Sequence, residues 1–361
     1  TGSMLGGTTY NLLEAASGGL TTGGGSAGSY SLVAIPGGFT TLTLNQTDTL
    51  VSLTRGTLVS DKRYWTGASD NVWNTVNGAF DGLNWSPDKS GATVSSFIPG
   101  SGTTVVFSAD NVLTGPNLVT TMEQGLRINA LEFESGINPV TSVTINPGTD
   151  VTNRLIISPS LSTEGINLKS GGPGVVTISA PLRIDVDQTW TVADSTSTLT
   201  VSGGLSGPGA LTIDGPGTTI VSAAAGGTFA VPTVLVNNGT LRTEDIGALG
   251  TTVIGNAAAI TINPGGAFYY NGPTNTVTTA VNNALTLAGG TLSAGGSTSN
   301  HYYTGAVNLT ADSFINLRDS NSATVSTAST NIILNGAVTG TGKVTLDSSN
   351  GLSGGNQLNG V

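Results

Sequence analysis

Apolar and polar residues alternate with a period of two over short stretches along nearly the whole chain. Leu42/Leu44, Val143/Ile145, Ile184/Val186, Leu199/Val201, Leu211/Ile213, Ile260/Ile262, Leu285/Leu287, Val307/Leu309 and Val344/Leu346 each enclose a Thr, Asp or Asn. Such a stretch predicts a strand with one dry and one wet face. Strands this short bury their dry face only by stacking on one another, and Thr suits the outer face because its branched carbon favours extended backbone. The longest candidate for a helix, Tyr10 to Ala16, is hemmed by Gly6-Gly7 and Gly18-Gly19 and reads better as a strand end and turn.

Between the strands stand turn pairs: Asn-Gly at Asn77, Asn238 and Asn335, and Pro-Gly at Pro147, Pro208 and Pro264. Glycine accepts the positive φ that such turns need. A Gly-punctuated phrase recurs from Gly204 to Gly217, around Leu285 to Leu292, and from Gly336 to Leu346. Loose self-similarity of this kind marks a chain that stacks one unit on the next. The fold expected is therefore all-β, a parallel β-helix or β-solenoid preceded by a small N-terminal β segment.

Three parts are expected. Residues 1–63 hold strands at Tyr10 to Leu13, Tyr30 to Ile35, Leu42 to Leu44 and Leu50 to Leu53, followed by a charged hinge, Ser60-Asp61-Lys62-Arg63. Residues 64–110 are rich in aromatics, with Trp65, Trp73, Phe80, Trp85 and Phe107. Residues 111–361 carry the repetitive strands. Both chain ends fall inside this pattern, as expected of a piece cut or processed from something longer.

Composition narrows the function. Only 9% of the 361 residues are charged, against roughly 25% in an ordinary domain, while Gly supplies 53 positions. The net charge is −10 and the 11 basic residues are scattered, so nucleic acid and anionic membrane are not expected partners. No run of apolar residues is long enough to span a bilayer. There is no cysteine, which removes disulfides and thiolate chemistry. Nothing in the sequence calls for a cofactor, and a metal at Asp185 with Asp187 or at Glu132 with Glu134 would lack a Gly-rich coordination loop.

Several residue groups resemble a known family. Tyr64-Trp65-Thr66-Gly67, Trp73-Asn74, Asn84-Trp85 and Val105-Val106-Phe107-Ser108 are followed by Leu131-Glu132-Phe133, Gln188-Thr189-Trp190-Thr191-Val192, Leu205-Ser206-Gly207-Pro208-Gly209-Ala210-Leu211 and Gly239-Thr240-Leu241. In this order, over residues 64–361, the chain resembles the autotransporter-associated β-strand repeat proteins. The resemblance implies a right-handed parallel β-helix in a large secreted or surface protein of bacteria. Residues 1–60 resemble the segment that closes one such helix before the next aromatic opening.

Candidate chemistry is sparse. Arg183, Asp185 and Asp187 lie at alternate positions and would share one outer face, so an acid and a base could act together there on a polysaccharide. A solvated face is the preferred reading of these three, and of Glu132 with Glu134. Trp65, Trp73 and Trp85 are expected to plug the end of the solenoid, the other reading being a platform on which sugar rings stack. The single histidine, His301, has no Gly-x-Ser-x-Gly elbow to serve.

The expected function is structural, not enzymatic: an extracellular building block of a bacterial cell-surface fibre, stalk or matrix. Its partners are expected to be copies of itself joined head to tail, residues 1–60 of one unit meeting the C-terminal rungs of the next. An adhesin that binds glycan or other surface proteins is the alternative, and a polysaccharide-active β-helix enzyme the second.

Overall fold

In the computed structural model, residues 9–17, 19–20, 42–55, 61–76, 83–92, 98–107, 118–136, 141–160, 162–222, 229–243, 258–270, 280–294, 300–316 and 331–347 are described. They form β-strands and turns with no α-helix. From Asp61 onward the strands stack into parallel sheets that make a β-solenoid.

Face 1 is a sheet of twelve strands. It runs from Trp85–Ser86 and Asp61–Trp65 through Thr103–Phe107, Ala130–Phe133, Glu164–Leu168, Gln188–Val192 and Leu211–Asp214 to Val307–Ala311 and Val338–Gly340. Face 2 has ten strands, from Val119–Thr121 to Val344–Asp347. Face 3 has five, from Leu126–Ile128 through Leu155–Ile157, Leu182–Ile184 and Leu205–Ser206 to Phe229–Ala230. Nearer the C terminus, Asn300–Tyr303 pairs with Asn331–Leu334 at the corresponding place in chain order. At about 4.8 Å between neighbours, twelve strands make face 1 about 50 Å long.

The period-two pattern sets this register. On face 1, Val105, Leu131, Ile166, Trp190, Ile213, Val236, Ile262, Leu287 and Leu309 pair in sequence, each stacked on the last. Every member of this ladder is buried. The intervening Thr189, Thr212, Leu235, Thr261, Thr286, Asn308 and Thr339 form an outer ladder alongside it. A one-residue slip would exchange the two columns, so the cost of exposing the inner one fixes the pairing.

The Gly-x-Gly phrases sit at corners. Gly207 and Gly340 have φ of 130° and 106°, and a Cβ on either would overlap the carbonyl of the turn beneath, at Ile184 and Leu309 respectively. Gly209 and Gly342 are pressed in the same way against Val186 and Ala311. The recurrent phrase thus marks where one rung's backbone lies directly on another, a place no side chain fits.

The N-terminal segment is a separate antiparallel sheet of three strands, Thr9–Glu14, Leu50–Arg55 and Leu42–Gln46, with Leu50–Arg55 in the middle. The expected strand at Tyr30 to Ile35 lies outside the described residues. The charged run expected as a hinge is a strand: Asp61–Trp65 pairs in parallel with Thr103–Phe107. Its charges are tolerated because Lys62 projects into an ion-pair network, while Arg63 donates to Asp61 at 2.6 Å.

Candidate functional site

The three sequence candidates on face 3 are only partly brought together. The strand ends at Ile184, so Asp185 and Asp187 lie beyond it instead of alternating along it, and Val186 is 39% exposed where a buried residue was expected. Asp185 accepts from Arg183 Nε at 2.5 Å and also from Arg127. Asp187 instead accepts from the backbone amide of Ala210, one turn on, at 2.8 Å.

Arg127 was missed as a member of this group. Ile156 pairs with Arg127 on one side and Arg183 on the other, so the two guanidiniums stand two rungs apart with Asp185 reaching both. Burial raises the carboxyl of Asp185, but the hydrogen bonds and charges of Arg127 and Arg183 outweigh it and hold the group below its ordinary value. A carboxylate so held is a poor proton donor near neutral pH. What this arrangement does best is tie three turns together.

A larger network lies on face 1. Glu132 accepts from Lys62 at 2.6 Å and Lys169 at 2.9 Å; Glu134 pairs with Lys169 at 2.7 Å, and with Lys62 and Lys89 at 3.6 Å. Burial opposes ionisation of Glu134, yet the hydrogen bond from Lys169 and the ammonium charges of Lys169 and Lys62 bring its pKa down to about 2. Burial likewise works against the charge on Lys62 and Lys169, and their glutamate partners overcome it and raise both. Beside the network is a hollow of about 140 Å³ lined by Lys62, Thr104, Asn129, Glu132, Glu164 and Asn167. Its walls bond to themselves: Asn129 donates to Thr104 at 3.1 Å and accepts from Ser160, and Asn167 donates to Glu164 at 2.7 Å.

The aromatic segment packs into the core of the first turns. Trp65, Trp73 and Trp85 are at most 1% exposed, so none offers a face to a sugar. Trp85 packs edge-on against Trp65 and Trp73 at 4.9 and 5.3 Å, and Phe107 carries the stack to Phe133 at 5.3 Å. Trp73 Nε1 donates to Thr120 and Trp85 Nε1 to the carbonyl of Trp73, at 2.9 and 2.7 Å. Trp85–Ser86 also pairs antiparallel with Asp61–Trp65, covering that edge of face 1.

A polar clip holds the indoles in place. Asn84, fully buried, donates to Asp70 at 2.6 Å and to the carbonyl of Val72, while its amide oxygen accepts from the backbone of Ser69 and Asp70. Asn-Trp pairs in the sequence flag Asn84, but nothing there marks Asp70.

His301 is buried, its ring edge-on to Tyr270 at 5.0 Å. It shares its inward direction with Tyr303, whose hydroxyl burial pushes far above the ordinary range. Among the described residues, no three His, Cys, Asp or Glu side chains converge as a metal would require.

No family model matches the chain, and no curated protein or solved structure matches it either.

Proposed function

We propose that this chain is an extracellular structural building block, a rod that joins head to tail into a fibre, stalk or matrix on a bacterial surface. The difference between the two ends of the solenoid carries this reading. At the start, the indoles and an antiparallel strand cover the first turn. At the other end, Val338–Gly340 and Val344–Asp347 pair on one side only among the described residues, and Val338 and Leu346 are 37% and 39% exposed. Among the described residues the stack is covered at one end and paired on one side only at the other, and two unlike ends suit a polar contact.

The charged groups support the same reading. The ionic clusters of faces 1 and 3 cross-link successive turns, and within them Glu134 and Asp185 are both held below their ordinary values. Backbone bonds along the axis share any tension among parallel ladders. Electron microscopy of the purified full chain at rising concentration tests this. Filaments with an axial repeat close to the rod length of about 50 Å, plus the length of the N-terminal sheet, are expected; rods that stay single at every concentration overturn the reading.

A further inference from the structure

We propose that the C-terminal rung, whose outer edge carries no strand among the described residues, is completed by strand Thr9–Glu14 of a second copy, added edge to edge. The inference rests on the head-to-tail reading and names the surfaces that make the contact.

The receptor is the last turn. Val338–Gly340 and Val344–Asp347 each pair with the preceding turn on one side and stand at the edge of their sheets, with no further strand beyond them among the described residues. Between them a hollow of about 90 Å³ opens on the core, lined by Leu287, Val307, Leu309, Ile315, Leu334 and Val344 with Val338 at the rim. An exposed edge of this kind is a template for another strand.

The donor is the outer strand of the N-terminal sheet. Thr9–Glu14 pairs with Leu50–Arg55 on one side and has no second neighbour among the described residues. Leu12 and Leu13 are 47% and 45% exposed, an unusual pair of apolar side chains on a six-residue edge strand. The register of the strand shifts between Asn11 and Leu13, which bends it. A bent strand suits a receptor edge that turns a corner between two faces.

Charge agrees with this pairing. Glu14 closes the donor strand and is exposed. Lys343 is exposed at the corner between the two receptor strands, its backbone amide already taken by Asp312 at 2.9 Å. Backbone pairing would supply affinity, the two leucines would fill the hollow, and the ion pair would set direction. The contact joins unlike surfaces, so its repetition gives an open filament unless the rotation closes.

The absence of cysteine makes the test direct. Leu12→Cys and Val338→Cys are prepared as separate full-length chains, mixed and mildly oxidised. A disulfide between the two variants as the main product is expected, with neither variant cross-linking to itself. Glu14→Lys is expected to weaken assembly, and Lys343→Glu in the same chain to restore it. Leu12→Glu with Leu13→Glu is expected to abolish assembly while leaving the circular dichroism of the fold unchanged.

Filaments that form undiminished in the double glutamate variant, with no mixed disulfide, overturn this contact and leave the fibre reading standing. A mixed disulfide without filaments upholds the contact and overturns the fibre. Two results assign the edge to the same chain and overturn the second copy. One is a Val338→Cys thiol that resists labelling in dilute monomer, as residues 348–361 would make it. The other is a disulfide within one chain carrying both cysteines.

Discussion

Each carboxylate on these faces is placed by what lies one turn away. Glu134 is held low by Lys169 and Lys62, and the sign of its effect on stability follows. Its ordinary value of 4.5 applies to the unfolded chain and about 2 to the folded one. The contribution is therefore fully present above pH 4.5 and is lost as the pH falls toward 2. Asp185, also lowered, works in the same direction. The melting temperature is expected to be level near neutrality and to fall through that window, more shallowly in Glu134→Gln, which starts lower at pH 7. Thermal scans of both proteins between pH 7 and 2 check this; equal slopes would show that the network does not bear on folding. Lys62 and Lys169 are two-fifths exposed, so salt screens part of the effect.

At the scale of elements, the aromatic segment is proposed to do the work that a further rung would do elsewhere. Trp85 is the member to test, since it touches both other indoles and lies in the strand that covers the edge of face 1. Trp85→Ala removes those contacts and the bond to the carbonyl of Trp73. A loss of about 3–5 kcal/mol is expected for a large buried aromatic, read by denaturant unfolding; a loss under about 1 kcal/mol would mean that the segment is not the cap.

Much of this architecture was legible, because period-two alternation bears directly on which side chain faces inward. It identified Val143/Ile145, Leu199/Val201, Leu211/Ile213, Ile260/Ile262 and Leu285/Leu287 as buried pairs. It failed at strand ends. Ile184 is inward but Val186 is exposed, because the strand stops between them and the corner turns outward. Leu346 is exposed although its pattern is intact, since burial on a rung also needs a rung above and none stands there among the described residues. The charged run at Asp61 looked like a hinge because its partners, Glu132 and Glu134, lie two face-1 strands further on. Arg127 escaped notice for the same reason: it meets Asp185 across 58 positions. Spacing along one strand is visible in a sequence, whereas stacking between turns is not until the turn length is known. That length varies here with the corners.

For the whole molecule, the two ends imply a gradient of local stability. In a solenoid each rung touches only its neighbours, so opening begins where one neighbour is absent. Gln188–Val192 and Leu211–Asp214 are paired on both sides, and their inner residues Trp190 and Ile213 are at most 1% exposed. Among the described residues, Val338–Gly340 and Val344–Asp347 are paired on one side only and the indoles have no counterpart there. Hydrogen exchange in dilute protein is therefore expected to be slowest in the two middle strands and fastest across 338–347. The first turns, behind the Trp cap, should be protected more nearly like the middle. On raising the concentration, protection should appear at 338–347 and at 9–14 together, with little change between them, because only the two ends meet. Exchange at 338–347 as slow as in the middle of dilute rods would mean that this end is already finished, and a polar contact would then have no edge to build on.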